Sequence, residues 1–230
     1  MMSGWTGGRG GLVAFGLAVA ALLVLEAFPA IDLAVSGWFA APGGGFPLHE
    51  LPLFRGVMKG LPWALIGAAV VVAVLGLAAL ATRGTFLGVT PNVAAYVVAS
   101  LALGPGLIVN TVLKDHWGRA RPVQIANFGG TAHFTPPLVL AHQCARNCSF
   151  PSGHAALGFW VIAFALLAPP RWRPLAVAAA LLVGALVGLM RIAQGAHFLS
   201  DVLAAGILVV GLTVTLKRAL ADDAGRPPLD

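Results

Sequence analysis

The stretch CSFPSGHAAL, residues 148–157, decides how the chain is interpreted, because turn residues lead directly into a long apolar run. Pro151, Ser152 and Gly153 are typical of a turn that opens a helix. The ionisable side chain of His154 follows at once, at the entrance of a predicted membrane helix. Either His154 is an interfacial residue beside a proline-led helix cap, or it belongs to a binding site.

The composition indicates an integral membrane protein. The 230 residues are 59% hydrophobic and only 10% charged, with a mean hydropathy of +0.90, whereas a soluble domain is about a quarter charged. No repeat or long linker interrupts the chain, so we expect a single membrane-embedded domain over residues 1–230. The net charge of +6 is explained by membrane topology and anionic lipid, and nucleic acid is not an expected partner.

Six apolar stretches approach the roughly 17–25 residues that a membrane helix needs. They predict an all-α bundle of six transmembrane helices at about 11–29, 61–81, 92–113, 154–169, 174–193 and 199–217. The fourth is short. The first resembles a signal peptide in having Arg9 before its apolar run, but that run is long and no clean cleavage site follows it. We therefore keep it as a helix.

Basic loop residues do not orient the bundle by number alone, because the two faces carry seven each. One face has Arg9, Arg83, Arg171, Arg173, Lys217, Arg218 and Arg226; the other has Arg55, Lys59, Lys114, Arg119, Arg121, Arg146 and Arg191. If Lys114, Arg121 and Arg191 serve chemistry, the balance becomes seven against four. Both termini then lie in the cytoplasm, and the other face is extracytoplasmic.

The chain has two cysteines, Cys144 and Cys148, in a loop assigned to the outer face. An oxidising compartment favours a local disulfide there. Free thiols, or a metal site completed by His133 and His142, are the alternatives.

Three polar clusters fall at one membrane face. The third predicted helix ends at KDHWGRARP (114–122), the fourth begins at PSGH (151–154), and the fifth turns into the sixth through MRIAQGAHFLSD (190–201). Reversing the topology moves all three clusters together. Their shared face is therefore independent of the charge count.

Each cluster has a simple structural explanation when it is taken alone. Lys114 resembles a basic residue that reaches lipid head groups, and Arg119 and Arg121 resemble non-specific ligands of lipid phosphate. Gly153 and Ser152 at a helix start offer an anion site, or merely a cap.

The third cluster has the same ambiguity. His197 and Asp201 are four residues apart, so a helix places them on one face. Gln194-Gly195 permits a sharp reversal before them. Arg191 and Asp201 form either a structural ion pair or part of a site in which Asp201 orients His197.

The clusters together supply three cations, a helix N-terminus, two histidines and a carboxylate, which suits a phosphoryl dianion. The cations are Lys114, Arg121 and Arg191. No Walker loop is present, and no acidic cluster suggests a magnesium or two-metal site. We expect the cations to replace a metal, and we expect no cofactor.

At these residues the chain resembles the type 2 phosphatidic acid phosphatase superfamily, whose signature is K-x6-RP, then PSGH, then SR-x5-H-x3-D. Lys114 to Pro122, Pro151 to His154, and Arg191 to Asp201 match it in order and in spacing. The one departure is Met190 in place of serine, which removes a possible hydroxyl ligand. The motifs cover about thirty residues, and the predicted helices extend the similarity over most of the chain.

The resemblance implies specific roles. His197 would attack phosphorus and form a phosphohistidine, with Asp201 orienting its ring. His154 would protonate the leaving oxygen and then activate water. The phosphate would be held by Lys114, Arg121, Arg191 and the groups of Ser152 and Gly153.

A site at head-group depth favours a phosphorylated membrane lipid as substrate, within the lipid bilayer. The candidates are lipid A, undecaprenyl pyrophosphate, phosphatidylglycerophosphate and phosphatidic acid, and the loops at about 30–60 and 123–150 are expected to discriminate among them.

Transfer of phosphate to a second lipid is an alternative function. A non-catalytic lipid-binding protein is a further, less favoured alternative. A soluble haloperoxidase does not suit six spans. The oligomeric state is not predicted.

Overall fold

The computed structural model describes residues 9–222, and this part of the chain is helical with no β-strand. The helices are α1 (Arg9–Ala27), α2 (Ala30–Gly37), α3 (Pro52–Thr82), α4 (Pro91–His116), α5 (Gly153–Ala165), α6 (Arg173–Ala193) and α7 (Leu199–Asp222). Short 3₁₀ turns lie at Pro47–Glu50, Pro122–Gln124 and Ala126–Phe128. Both chain ends and Arg226, which the orientation argument used, fall outside the described residues.

Five helices, α1, α3, α4, α6 and α7, are long and apolar enough to cross a membrane. They correspond to five of the six predicted spans. The remaining prediction, 154–169, matches α5, which has 13 residues in Gly153–Ala165 and is shorter than a full span. Turns follow it before Pro169 and Pro170, because proline cannot continue the helical hydrogen bonding.

The short helix α5 lies at the centre of the bundle, in contact with α3, α4, α6 and α7. Its Trp160 is fully buried and donates to Ser100 Oγ of α4 at 2.9 Å. Gly158 of α5 meets Gly184 of α6, where an added Cβ would lie 3.1 Å from the Gly184 Cα. Small residues therefore allow the two backbones to approach closely, as is typical of membrane helices.

Helix α4 changes its winding on the way to the first polar cluster. From Ala102 to Leu113 it is a π-helix, and Pro105 within this stretch lacks the N–H that an α-helix would use. The side-chain amide of Asn110 donates to the Pro105 carbonyl at 2.7 Å.

The segment after α1 was expected to be a loop over about 30–60, but Ala30–Gly37 form helix α2, and α3 already begins at Pro52. Asp32 of α2 is fully buried, although the sequence offered no reason to single it out. Among the aromatic residues of this segment, Trp38 is 76% exposed, whereas Phe46 is buried and packs over Gly195 and Phe128. The segment therefore covers part of the third polar cluster, at Gly195.

Backbone hydrogen bonds join the three polar clusters at one end of the bundle. Cys148 and Ser149 N–H donate to the carbonyls of Lys114 and Arg119, at 3.1 and 2.8 Å. Two further bonds connect the third cluster: Ser152 N–H to Asp201 O at 3.1 Å, and Val123 N–H to Gly195 O at 2.9 Å. These bonds bring together residues that the sequence placed on the same face.

Candidate active site

His197 lies in the turn between α6 and α7 and is completely buried. Its Nδ1 is 2.7 Å from the carbonyl oxygen of Ser149. Because a carbonyl can only accept, Nδ1 carries the proton and Nε2 carries the lone pair. Burial lowers the pKa of His197 to about 3, and Lys114 and Arg191 lower it further against the opposing effect of Asp201. The imidazole is therefore neutral near pH 7.

Two nitrogens of the predicted site are buried without a hydrogen-bond partner in the described part of the chain. They are His197 Nε2 and Arg191 Nε. Buried polar atoms normally have partners, and the other buried side-chain nitrogen or oxygen atoms without a partner within residues 9–222 are hydroxyl oxygens. The lone pair of His197 Nε2 could attack a phosphorus atom, and the free N–H of Arg191 could donate to an anionic oxygen.

Asp201 does not hold the His197 ring directly. Its Oδ2 is 3.6 Å from His197 Nδ1, too far for a hydrogen bond. Instead, Oδ2 accepts from Ser149 Oγ at 2.5 Å and from the Phe198 N–H at 2.8 Å. The expected contact of Asp201 with His197 is thus largely replaced by Ser149, whose carbonyl holds the ring while its hydroxyl binds the carboxylate.

His154 is held by helix α3. Its Nε2 lies 3.1 Å from the carbonyl oxygen of Met58, so Nε2 carries the proton in this contact. The Met58 carbonyl is free because the residue four positions later is Pro62, which has no N–H to complete the helical bond. The arrangement leaves Nδ1 as the ring nitrogen that can exchange a proton with a bound substrate.

Lys114 and Gly153 meet where α4 reaches the start of α5. Lys114 is only 7% exposed. A Cβ added to Gly153 would lie 3.2 Å from Lys114 Nζ and would overlap with Asn110 Oδ1. Glycine is therefore required for α4 to approach the N-terminus of α5. Asn110 therefore lies beside two motif residues, although the sequence motifs did not indicate it.

We expect Gly153→Ala to reduce phosphate release by about 10- to 100-fold, because a misplacement of 1 Å can cost this much. The added methyl group must displace Asn110 and shift Lys114. Steady-state kinetics beside Gly60→Ala, a helical glycine of α3 with open space around it, measures the effect. Equal activity of the two variants would contradict the required close approach.

Ser152 caps α5, since its Oγ accepts from the Ala155 N–H at 3.4 Å. Its own N–H is used by the Asp201 carbonyl. The Ser152 amide, one of the groups expected to bind phosphate, is therefore already occupied, while its hydroxyl proton remains available to an anion.

Arg121 is hydrogen-bonded to the loop that contains Cys144 and Cys148. Its Nη2 donates to the Asn147 carbonyl at 2.7 Å, and the Asn147 N–H donates to Asp115 Oδ1 at 3.0 Å. Cys144 and Cys148 on either side form a disulfide, as the favoured prediction stated. The disulfide closes the short loop that presents the Asn147 carbonyl to Arg121. Burial lowers the pKa of Arg121 from its ordinary value, without removing its charge near pH 7.

Arg191 lies at the end of α6, and its Nη1 donates to Gln194 Oε1 at 2.7 Å. Gly195 follows with φ of +66°, a conformation that favours glycine. It makes the reversal expected from Gln194-Gly195. Lys114, Arg121 and Arg191 lie close enough to repel one another electrostatically, so the three cations converge on a common region.

Arg119 differs from the interpretation of a lipid-contacting residue. It is fully buried, and its guanidinium is paired with Asp32 and Asp201.

Among the described residues, no group of three or more His, Cys, Asp or Glu side chains has an arrangement suited to a metal ion. The proposed alternative of a cysteine–histidine metal site does not fit a pair of cysteines joined as a disulfide.

Residues 93–222 match the family model described as the PAP2 superfamily. The chain belongs to this superfamily. It is 50% identical over 115 residues to the lipid A 4'-phosphatase of Francisella tularensis subsp. novicida, a match that covers 50% of this chain and 52% of that protein. It is 38% identical over 198 residues to the lipid A 4'-phosphatase of Rhizobium leguminosarum, covering 80% and 84% of the two chains.

The crystal structure of a PAP2-type phosphatidylglycerolphosphate phosphatase from Bacillus subtilis has the same fold. It superposes with a TM-score of 0.54 at 22% identity, covering 94% of this chain and 98% of the other. The family assignment made from the three motifs is confirmed, and the protein is a PAP2-type phosphatase. Five helices long and apolar enough to cross a membrane, together with these bacterial membrane relatives, indicate a multi-pass bacterial membrane protein.

Proposed function

We propose that this PAP2-type lipid phosphatase removes the 4'-phosphate of lipid A through a phosphohistidine on His197, in a single membrane-embedded domain. The observation that carries the mechanism is the state of His197: Nδ1 is tied to a carbonyl, and the buried Nε2 has no partner among the described residues. A neutral imidazole in this state is a nucleophile that needs no further deprotonation.

In the first step, the Nε2 lone pair of His197 attacks phosphorus and the bond from phosphorus to the ester oxygen breaks. The leaving oxygen takes a proton from His154 Nδ1. The phosphorylated ring keeps its proton on Nδ1, so it becomes cationic while still donating to the Ser149 carbonyl. The fixed contact of His154 with Met58 keeps the acid in one orientation.

In the second step, His154 accepts a proton from water, and the oxygen attacks phosphorus. The bond from phosphorus to Nε2 breaks, the electron pair returns to His197, and inorganic phosphate is released. His154 is then protonated again and ready for another lipid. Its two roles follow from one position, because the leaving oxygen and the attacking water occupy the same side of phosphorus in turn.

The non-bridging phosphate oxygens would be bound by cations and N–H groups. Lys114, Arg121 and the unpartnered Nε of Arg191 supply these donors, together with Gly153 and the Ser152 hydroxyl. Three positive charges stabilise the charge on a transferring phosphoryl group without a metal ion.

The substrate assignment rests on the relatives. Three lipid A 4'-phosphatases match this chain, and two of the matches extend over most of both proteins. A lipid A molecule can keep its acyl chains in the bilayer while a sugar phosphate enters a site at the end of the bundle. We further propose that α5 completes a six-helix bundle, with the site facing the periplasm, both termini cytoplasmic and the protein in the inner membrane.

The test uses purified full-length protein in detergent with EDTA, and a lipid A that carries both the 1- and the 4'-phosphate. Tandem mass spectrometry of the product is expected to show loss from the non-reducing sugar. Phosphatidylglycerophosphate, undecaprenyl pyrophosphate and phosphatidic acid are assayed in parallel.

Each other outcome has a distinct meaning. Loss of the 1-phosphate, or faster release from another lipid, overturns the substrate assignment but keeps the phosphatase. Appearance of phosphate on a second added lipid indicates a transferase. Complete loss of activity in EDTA, restored by a divalent cation, contradicts the metal-independent mechanism.

A further inference from the structure

Arg119 lies between two carboxylates in a fully buried cluster beneath the His197 turn. Its Nη2 donates to Asp32 Oδ2 at 2.8 Å, and its Nη1 donates to Asp201 Oδ1 at 2.5 Å. All three side chains have no exposed surface. The guanidinium also stacks over Phe198, 4.3 Å from the ring centroid. The cluster is therefore built into the core rather than formed at a surface.

Ser200 contacts both Asp32 and Arg119 within this cluster. Its hydroxyl donates to Asp32 Oδ2 and accepts from Arg119 Nη1 at 2.8 Å. Its N–H donates to Asp32 Oδ1 at 2.9 Å. Every one of these contacts on Asp32 comes from a donor, which is the pattern of an ionised carboxylate. Burial raises the pKa of Asp32 above its ordinary value, while Arg119 and the Ser200 donors oppose that shift. With both carboxylates ionised, as the donor pattern indicates, the cluster carries a net charge of −1.

The cluster reaches the nucleophile through Ser149. The Ser149 hydroxyl binds Asp201, its N–H binds the Arg119 carbonyl, and its own carbonyl holds His197 Nδ1. Asp201 Oδ2 is itself 3.6 Å from that nitrogen. A negative cluster at this distance stabilises a positive charge on the imidazole ring.

We propose that Asp32, Arg119 and Ser200 are positioning residues for catalysis, which hold Asp201 and Ser149 and supply the negative charge that stabilises the cationic phosphorylated His197. The proposal rests on the phosphohistidine mechanism above. It assigns a role in the reaction to α2, a helix that contributes none of the motif residues. The role is electrostatic and acts on the reacting ring, so ground-state binding of phosphate by the cations is largely independent of it.

The principal test is Asp32→Asn, which keeps the shape of the side chain but removes one negative charge. We expect kcat to fall roughly tenfold, which is the lower end of the loss seen when a residue that supports a metal-binding histidine is mutated. KM is expected to change by less than about twofold. Orthovanadate, which becomes five-coordinate when a histidine nitrogen adds to it, mimics the transition state. Its inhibition constant is expected to rise by the same factor as kcat falls, while that of inorganic phosphate stays constant.

Tyr96→Phe is the matched control, because the Tyr96 hydroxyl donates to the Ala163 carbonyl at 3.1 Å within the core, outside this cluster. It is expected to lower stability without changing the ratio of the vanadate and phosphate inhibition constants. Ser200→Ala, which retains both carboxylates, is expected to give a smaller change in the same direction as Asp32→Asn. It provides the test if Asp32→Asn does not fold.

Unchanged kcat in a folded Asp32→Asn, or in Ser200→Ala where the first variant does not fold, overturns the proposal. An equal weakening of vanadate and phosphate also overturns it, because that result indicates general damage to the site. A wild-type protein that releases no phosphate from any lipid instead refutes the proposed function, so the two failures are distinguishable.

Discussion

His197→Ala is expected to reduce phosphate release from lipid by about 10⁴-fold or more, because removing a nucleophile abolishes covalent catalysis. The structure leaves no adjacent substitute for Nε2 in the described part of the chain: the other site imidazole, His154, is fixed to the Met58 carbonyl. Phosphate binding should be retained, since its cations are unchanged. Steady-state release and equilibrium phosphate binding measure the two effects separately.

A matched control is His116→Ala, which removes an exposed histidine at the end of α4 whose ring is hydrogen-bonded to the Val112 carbonyl of the same helix. Its activity is expected to stay within about twofold of wild type, as for most surface substitutions. Brief reaction with ³²P-labelled lipid should give an acid-labile, alkali-stable phosphoenzyme in this control and none in His197→Ala. An unchanged phosphoenzyme in His197→Ala would place the nucleophile elsewhere, and retained function without turnover would favour a binding protein.

The motif residues were predictable from sequence because their relation depends on helix parity and short spacing. Lys114, His154 and His197 occur at ends of apolar runs, so counting the runs places them on one face. The structure joins these segments by backbone hydrogen bonds. The shortness of α5 was also visible in part, since Pro169 limits its C-terminal end.

The residues that support the site could not be found in the same way. Asp32 and Arg119 are 87 positions apart, and no local pattern connects a carboxylate after one helix with an arginine after another. Arg119 stands among polar residues and looked accessible. Ser149 acts partly through its backbone carbonyl, which any residue type has. These contacts depend on tertiary packing and not on a spacing within one element.

Pro62 is visible in the sequence, but the sequence does not show which side chain uses the carbonyl that this proline leaves free. It lies inside a predicted span, where it indicates only that one helical hydrogen bond is missing. Which side chain uses the freed Met58 carbonyl depends on how α3 packs against α5. The structure identifies that side chain as His154.

Arg119→Met is expected to have the largest effect on stability, destabilising the folded protein by about 3–5 kcal/mol. The substitution approximately preserves the volume of the side chain, but it leaves Asp32 and Asp201 buried without their common cation. An uncompensated charge in the core costs more than the ion pair itself contributes, and total stabilities are often only 5–15 kcal/mol. Tryptophan fluorescence during heating in detergent measures the loss, since the chain has six tryptophans.

Two comparisons separate charge from packing in this result. Arg55→Met breaks the exposed pair of Arg55 and Glu50 and is expected to cost less than about 1 kcal/mol. Combining Arg119→Met with Asp32→Asn removes one of the two unpaired carboxylates, so part of the lost stability should return. A double variant that is no more stable than Arg119→Met would show that the loss comes from the packing of Arg119 against Phe198, and not from the buried charges.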